Sequence, residues 1–190
     1  MRNIAIFASG SGTNAENIIR YFSNEKSARV ALVLSNRREA YVLKRAEALN
    51  TDSIFFDRDD LYINGRVLEH LENYRIDFIV LAGFLWLIPD TILERYENRI
   101  INIHPALLPK YGGKGMYGDR VHKAVIENRE AESGITIHYV NRNYDEGDII
   151  FQARCAITAD DTPATLAEKV HALEYSNYPL VVKELVQKLQ

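Results

Sequence analysis

The chain has 190 residues, enough for one ordinary domain with a sizeable buried core. Apolar residues make up 47% and charged residues 26%, a globular balance that excludes a disordered chain. Net charge is −3 with both signs mixed along the length, and no Lys/Arg stripe runs among aromatics, which argues against a nucleic-acid partner.

Residues 3–8 form a short apolar run that stops at Ser9-Gly10-Ser11-Gly12-Thr13-Asn14, a buried strand followed by a glycine turn. Ile18, Ile19 and Phe22 then recur at helical spacing, with Asn14 placed to cap the helix. Residues 30–34 predict a second buried strand, 40–49 a helix, and 53–56 a brief third strand. A single helix is expected over 60–74, carrying Leu61, Val67, Leu68 and Leu71. Phe78–Ala82 is the clearest buried strand, ending at Gly83. This alternation predicts a parallel sheet covered by helices on both faces, with ligands beyond the carboxyl ends of its strands.

The second half reads differently. Residues 100–104 make a strand leading into a Gly- and Pro-rich loop over 105–118, followed by a helix at 119–128. Residues 134–140 alternate Ile135, Ile137 and Tyr139 against Thr136 and His138, the period of a half-exposed strand. After the turn Asp145-Glu146-Gly147-Asp148 comes a strand at 149–157, so antiparallel strands are expected to close the sheet. Thr162 and Pro163 start a closing helix that turns Leu166, Val170 and Leu173 inward and that Pro179 should kink or divide. Cys155 is the only cysteine, so no intrachain disulfide forms, and its apolar surroundings read as inert packing. No Cys/His cluster suggests a metal, no apolar run reaches bilayer length, and the start is interrupted too soon for a signal peptide. A cytoplasmic protein with small-molecule ligands and no membrane partner is the expectation, with monomer and homodimer both open.

Three places can carry chemistry. The loop Gly10–Asn14 lies between strand and helix, so its amides can converge on an anion; a ligand-free tight turn is the alternative. It lacks the endings of the nucleotide and dinucleotide loops, which favours a simple phosphate monoester. Asn102 and His104 share a face at a strand end and could hold an oxyanion and move a proton, although a lone His of this kind is more often a core residue. Asp145 could orient His104 and raise its pKa, or merely shape its turn.

A resemblance sharpens these readings. The segments Gly10–Asn14, Val80–Phe84, Asn102–Pro105 with Leu107–Tyr111, Gly134–His138, Tyr144–Gly147 and Glu174–Pro179 match in order and spacing. On them the chain resembles the phosphoribosylglycinamide formyltransferase family, folate-dependent enzymes of purine synthesis, over nearly its full length. The resemblance implies a single Rossmann-like α/β domain over 1–190, with a phosphate-binding half (1–100) and a catalytic and folate-binding half (101–190). It implies direct formyl transfer from the co-substrate 10-formyltetrahydrofolate to phosphoribosylglycinamide, without a metal. Asn102, His104 and Asp145 would be catalytic, with His104 protonated and kept charged by Asp145. Gly12, Thr13 and Asn14 would hold the substrate phosphate, and Glu174 its amine and ribose end. Phe84, Leu85, Leu87, Ile88, Val140, Asn141, Asn143 and Tyr144 would bind the folate. A cis Leu108-Pro109 peptide is also implied. Three departures stand out: the loop Tyr111–Gly118 is longer than in some members, Trp86 replaces a basic residue found elsewhere in the family, and either Arg58 or Arg66 could be the family's ligand-facing arginine. The rivals are formyl transfer to methionyl-tRNA or an amino sugar nucleotide, formyl-folate hydrolysis, and a noncatalytic phosphate-binding module.

Overall fold

The computed structural model describes residues 1–189. Seven strands form one sheet in the order β3-β2-β1-β4-β5-β6-β7: β1 Arg2–Phe7, β2 Ala28–Ser35, β3 Ser53–Phe55, β4 Phe78–Leu81, β5 Ile100–His104, β6 Glu132–Tyr139 and β7 Ile149–Ala156. The first five are parallel; β6 runs antiparallel to both β5 and β7. The mixed α/β sheet is the one expected from the sequence.

The parallel strands are apolar throughout because both faces are covered. Ile4 and Ile6 of β1 face a core shared with helices α1 (Thr13–Ser23), α2 (Tyr41–Ala48), α6 (Asp119–Glu127) and α7 (Pro163–Gln187). Ala5 and Phe7 face the opposite core, with α3 (Arg58–Tyr62), α4 (Arg66–Asn73) and α5 (Asp90–Arg95).

Several expectations need correcting. The helix expected over 60–74 is two helices, because Asp57 opens α3 with a capping box and Gly65, at φ 69°, caps α4. Helix α5 escaped the sequence reading: it is a turn and a half long with one buried residue, Ile92, too little for a periodic signal. Gly12, not Asn14, caps α1; its φ is 75°, and a Cβ there would lie 2.3 Å from Val42 Cγ2, so α2 packs against a backbone that only glycine allows. Strand β6 is buried on both faces: Ile135 and Ile137 pack into the core under α7, while Thr136 lies against the backbone of Ala106 and Leu108 and His138 against Asn102.

Thr162 caps α7 and Pro163 opens it, as expected, and Leu166 and Val170 are buried with Leu173 half-buried. Pro179 does not divide this helix, which runs unbroken over 25 residues. A proline cannot donate to the carbonyl four residues back, here that of Tyr175. Asn17 Nδ2 of α1 donates to that carbonyl at 2.8 Å. The fully buried Tyr178 donates its hydroxyl to Leu81 O at 2.8 Å, fastening α7 to the carboxyl end of β4.

Candidate active site

At the carboxyl ends of β1, β4 and β5 lies a cavity of about 540 Å³, where an open parallel sheet is expected to hold a ligand. One end is walled by Gly10–Asn14 and Glu174 and another by Asn102, His104 and Asp145, with Phe84 and Leu85 after the intervening strand β4; Tyr144 and the loop 113–118 complete the lining.

The polar cluster follows from register. Asn102 faces His138 across the β5–β6 pairing and His104 faces Thr136, so the four side chains form one patch. Asp145 reaches it from the loop after β6, at φ 58°. Gly147 lets that loop lie against β6, because a Cβ there would overlap Tyr139 O at 1.7 Å. The Asp145 carboxylate accepts from Gly113 N at 2.9 Å and lies 3.4 Å from His104 Nδ1. Its other oxygen is 3.4 Å from Asn102 Nδ2 and 3.6 Å from His138 Nε2.

The hydrogen-bond partners fix the tautomers. His104 Nε2 lies 2.8 Å from the carbonyl of Tyr111, a pure acceptor, so that nitrogen carries a proton. In neutral His104 the lone pair is therefore on Nδ1, towards Asp145. His138 Nδ1 donates to Tyr139 O at 2.8 Å, which leaves its Nε2 to accept from Asn102 Nδ2 at 3.1 Å. The Asn102 and His104 contacts to Asp145 are long for hydrogen bonds, so both nitrogens can turn to an oxygen entering between them.

Burial holds His104 below its ordinary value, although the Asp145 charge and the Tyr111 carbonyl pull it upward and His138 adds to the depression. Burial and the Asp145 charge thus pull His104 in opposite directions, burial more strongly. For Asp145, burial raises the carboxyl, but His138, His104 and the Gly113 amide together outweigh it and hold it below the usual carboxylate range.

At the other end, the first-turn amides of α1 at Thr13 and Asn14 have no acceptor within their helix and border the cavity. The Asn14 side chain is turned away to Glu174, donating to Oε2 at 2.8 Å. Glu174 is 6% exposed, and burial pushes its carboxyl up against the opposing pull of Asn14 and His171.

Of the expected folate residues, Phe84, Leu85 and Tyr144 line the cavity. Ile88 is buried in the same core cluster as Phe84, with Val140 packed against that cluster, and Leu87 offers its carbonyl to the Tyr62 hydroxyl. Asn141 and Asn143 are exposed on the turn before Asp145. Of the two candidate arginines, Arg58 stacks over Trp86 at 5.1 Å, whereas Arg66 pairs with Asp60. The Leu108-Pro109 bond is cis, as expected. His138 was missed because its alternation with Ile137 and Tyr139 read as a solvent face; the signal that could have found it was its register opposite Asn102.

The profile of the formyl transferase family matches residues 2–182. The chain belongs to the formyl transferase family. Within this family it is 36% identical to the phosphoribosylglycinamide formyltransferase of Bacillus subtilis, over 98% of this chain and 95% of that protein. It is also 36% identical to the chloroplastic protein of that name from Arabidopsis thaliana, of whose length it spans 66%. Among solved structures, the phosphoribosylglycinamide formyltransferase of Bacillus halodurans superposes with a TM-score of 0.88 at 36% identity, covering all of this chain and 97% of the other. That of Anaplasma phagocytophilum gives 0.90 at 30% identity, covering 98% and 87%. Among the described residues, no helix is long and apolar enough to cross a membrane.

Proposed function

We propose that the chain transfers the formyl group of 10-formyltetrahydrofolate to the amine of 5'-phosphoribosylglycinamide, a step of de novo purine synthesis. The observation that carries this reading is one cavity joining two unlike ends: the Asn102–His104–Asp145 cluster and the Gly10–Asn14 loop with Glu174. An amine carrying a phosphate spans such a cavity, with its anion on the amides of Gly12, Thr13 and Asn14, its ribose and amide beside Glu174, and its amine reaching towards Asn102 and His104. Phe84, Leu85 and Tyr144 offer a flat apolar wall suited to a pterin ring, with the 140–144 backbone at its edge. The surface carries mixed charge, which fits a cytoplasmic enzyme of small molecules. Two relatives and two solved neighbours named for this activity favour it over the amino-sugar and noncatalytic readings.

The residues divide the work. As the amine attacks the formyl carbon, negative charge develops on the formyl oxygen. Asn102 Nδ2 turns from Asp145 to that oxygen. Neutral His104 takes the amine proton on Nδ1 and then, as imidazolium, donates to the oxyanion and delivers the proton to the leaving nitrogen. Asp145 stabilises the imidazolium once formed, and His138 holds the Asn102 amide in place. A purified sample given both substrates should change the folate absorbance at a rate proportional to enzyme. No turnover would leave the family assignment standing and sink this substrate reading.

A further inference from the structure

Four basic side chains line the cavity without an acidic partner among the described residues: Lys114, Arg120, His122 and His171. Lys114 and Arg120 are exposed on the rim, with the Arg120 guanidinium over the Tyr117 ring. His122, on α6, is different. It is 2% exposed, and its Nδ1 is buried with no hydrogen-bond partner. Its ring meets that of His171 edge-on at 6.4 Å, and His171 stacks on Tyr175 of the same helix, α7. One turn along α7, Glu174 holds Asn14 of the phosphate loop. A continuous row thus runs from the anion-binding amides through Glu174 and His171 to His122.

This row has to solve a charge problem. The loop amides are neutral donors, and a phosphate brought beside the buried Glu174 carboxyl needs a nearby positive charge. Resting on the phosphorylated-amine reading above, we propose that the His122–His171 pair is the protonatable part of the phosphate end, taking one proton from solvent when the phosphorylated amine binds. The buried His122 Nδ1, which has no partner in the empty pocket, is where the added proton can sit when a dianion is present to balance it.

The groups facing His122 fit this behaviour. Burial holds it below its ordinary value; His171 pushes it the same way, Asp119 of its own helix opposes, and His104 of β5 lowers it further. An arriving dianion reverses the balance. Because protons then favour the bound state, affinity falls as pH rises through the bound pair's pKa. Glu174 is the other group at this end able to take a proton, so the variants must separate the two.

Calorimetric titration of the whole chain with glycinamide ribonucleotide, in two buffers of different ionisation enthalpy, reads the proton directly. At about pH 7.5 the free phosphate, with a second pKa near 6, is already a dianion and contributes little. Glycinamide riboside carries the same amine without the phosphate and supplies the baseline. The expected result is net uptake approaching one proton for the ribonucleotide over the riboside, reduced by more than half in His122→Asn and in His171→Asn. Ribonucleotide affinity should drop roughly fivefold to tenfold in each variant, with a flatter pH dependence. His171 is exposed, so its variant tests the idea even if His122→Asn folds poorly. No net uptake in the unaltered chain, or uptake undiminished in His171→Asn, would overturn the proposal. Failure of the unaltered chain to bind the ribonucleotide at all would instead overturn the substrate reading beneath it.

Discussion

Replacing Asp145 by Asn keeps the shape of the side chain and removes its charge from beside His104. The carboxylate lies 3.4 Å from Nδ1, with side-chain exposures of only 11% for Asp145 and 4% for His104, so solvent screens the pair little. At an effective dielectric of about 20, one charge pair at that distance interacts by roughly 5 kcal/mol. Part of that attraction offsets the desolvation of the imidazolium, which leaves about 3–4 kcal/mol, or about 10²–10³ in kcat. The sign of the pH effect follows from His104 acting as the neutral base. Its pKa already lies below the ordinary 6.5, and activity falls as pH drops through it. Without the Asp145 charge, burial is opposed less and the pKa moves lower still. The kcat profile of Asp145→Asn should therefore show a plateau lower by that factor and an acid limb displaced to lower pH. A variant whose limb stays in place while kcat falls less than about threefold would refute the pairing of Asp145 with His104.

Thr13→Asp sets a negative charge at the loop expected to hold phosphate, so it should weaken glycinamide ribonucleotide binding at least about tenfold while barely changing folate binding; equal losses, read by titration calorimetry, would move the phosphate elsewhere. Asn17→Ala leaves the Tyr175 carbonyl without its donor and should cost about 1 kcal/mol in urea unfolding; an unchanged midpoint would show that water serves that carbonyl equally well. Trp86 packs between Arg58, Tyr62 and Phe84, itself a wall residue, so a bound folate analogue should change its fluorescence; an unaltered spectrum at saturation would make it only a cover for the core.

The parallel half of the fold was legible because a strand buried on both faces is a continuous apolar run, as at Phe78–Leu81, and each run ends at a glycine or a polar turn. The limits of that signal show in particular elements. Helix α5 buries one residue and leaves no period; Pro179 looks like a break until Asn17, 162 positions away in sequence, supplies the donor to the Tyr175 carbonyl. Polar alternation in β6 reads as solvent exposure, whereas Thr136 and His138 are buried because the rest of the cluster gives them partners: Thr136 donates to Ala106 O, and His138 bonds Asn102 and Tyr139. Asn102, His104 and Asp145 could be named from their motifs. That His104 is depressed by burial, and that its Nε2 is held by a carbonyl seven residues on, needed the cavity and the loop around it.

The central claim is that Asn102 and His104 act on an oxygen that becomes charged only after attack begins. Interactions confined to the transition state lower kcat when removed and leave ground-state binding alone. Asn102→Ala deletes one of the two donors and keeps His104 with its Asp145 partner. Measured together, kcat and the two dissociation constants decide the matter. The account predicts a kcat loss of about 10²–10³, with Kd for glycinamide ribonucleotide and for a folate analogue each changed less than about twofold. Near-normal turnover, or a loss that appears mainly in Kd, would contradict it.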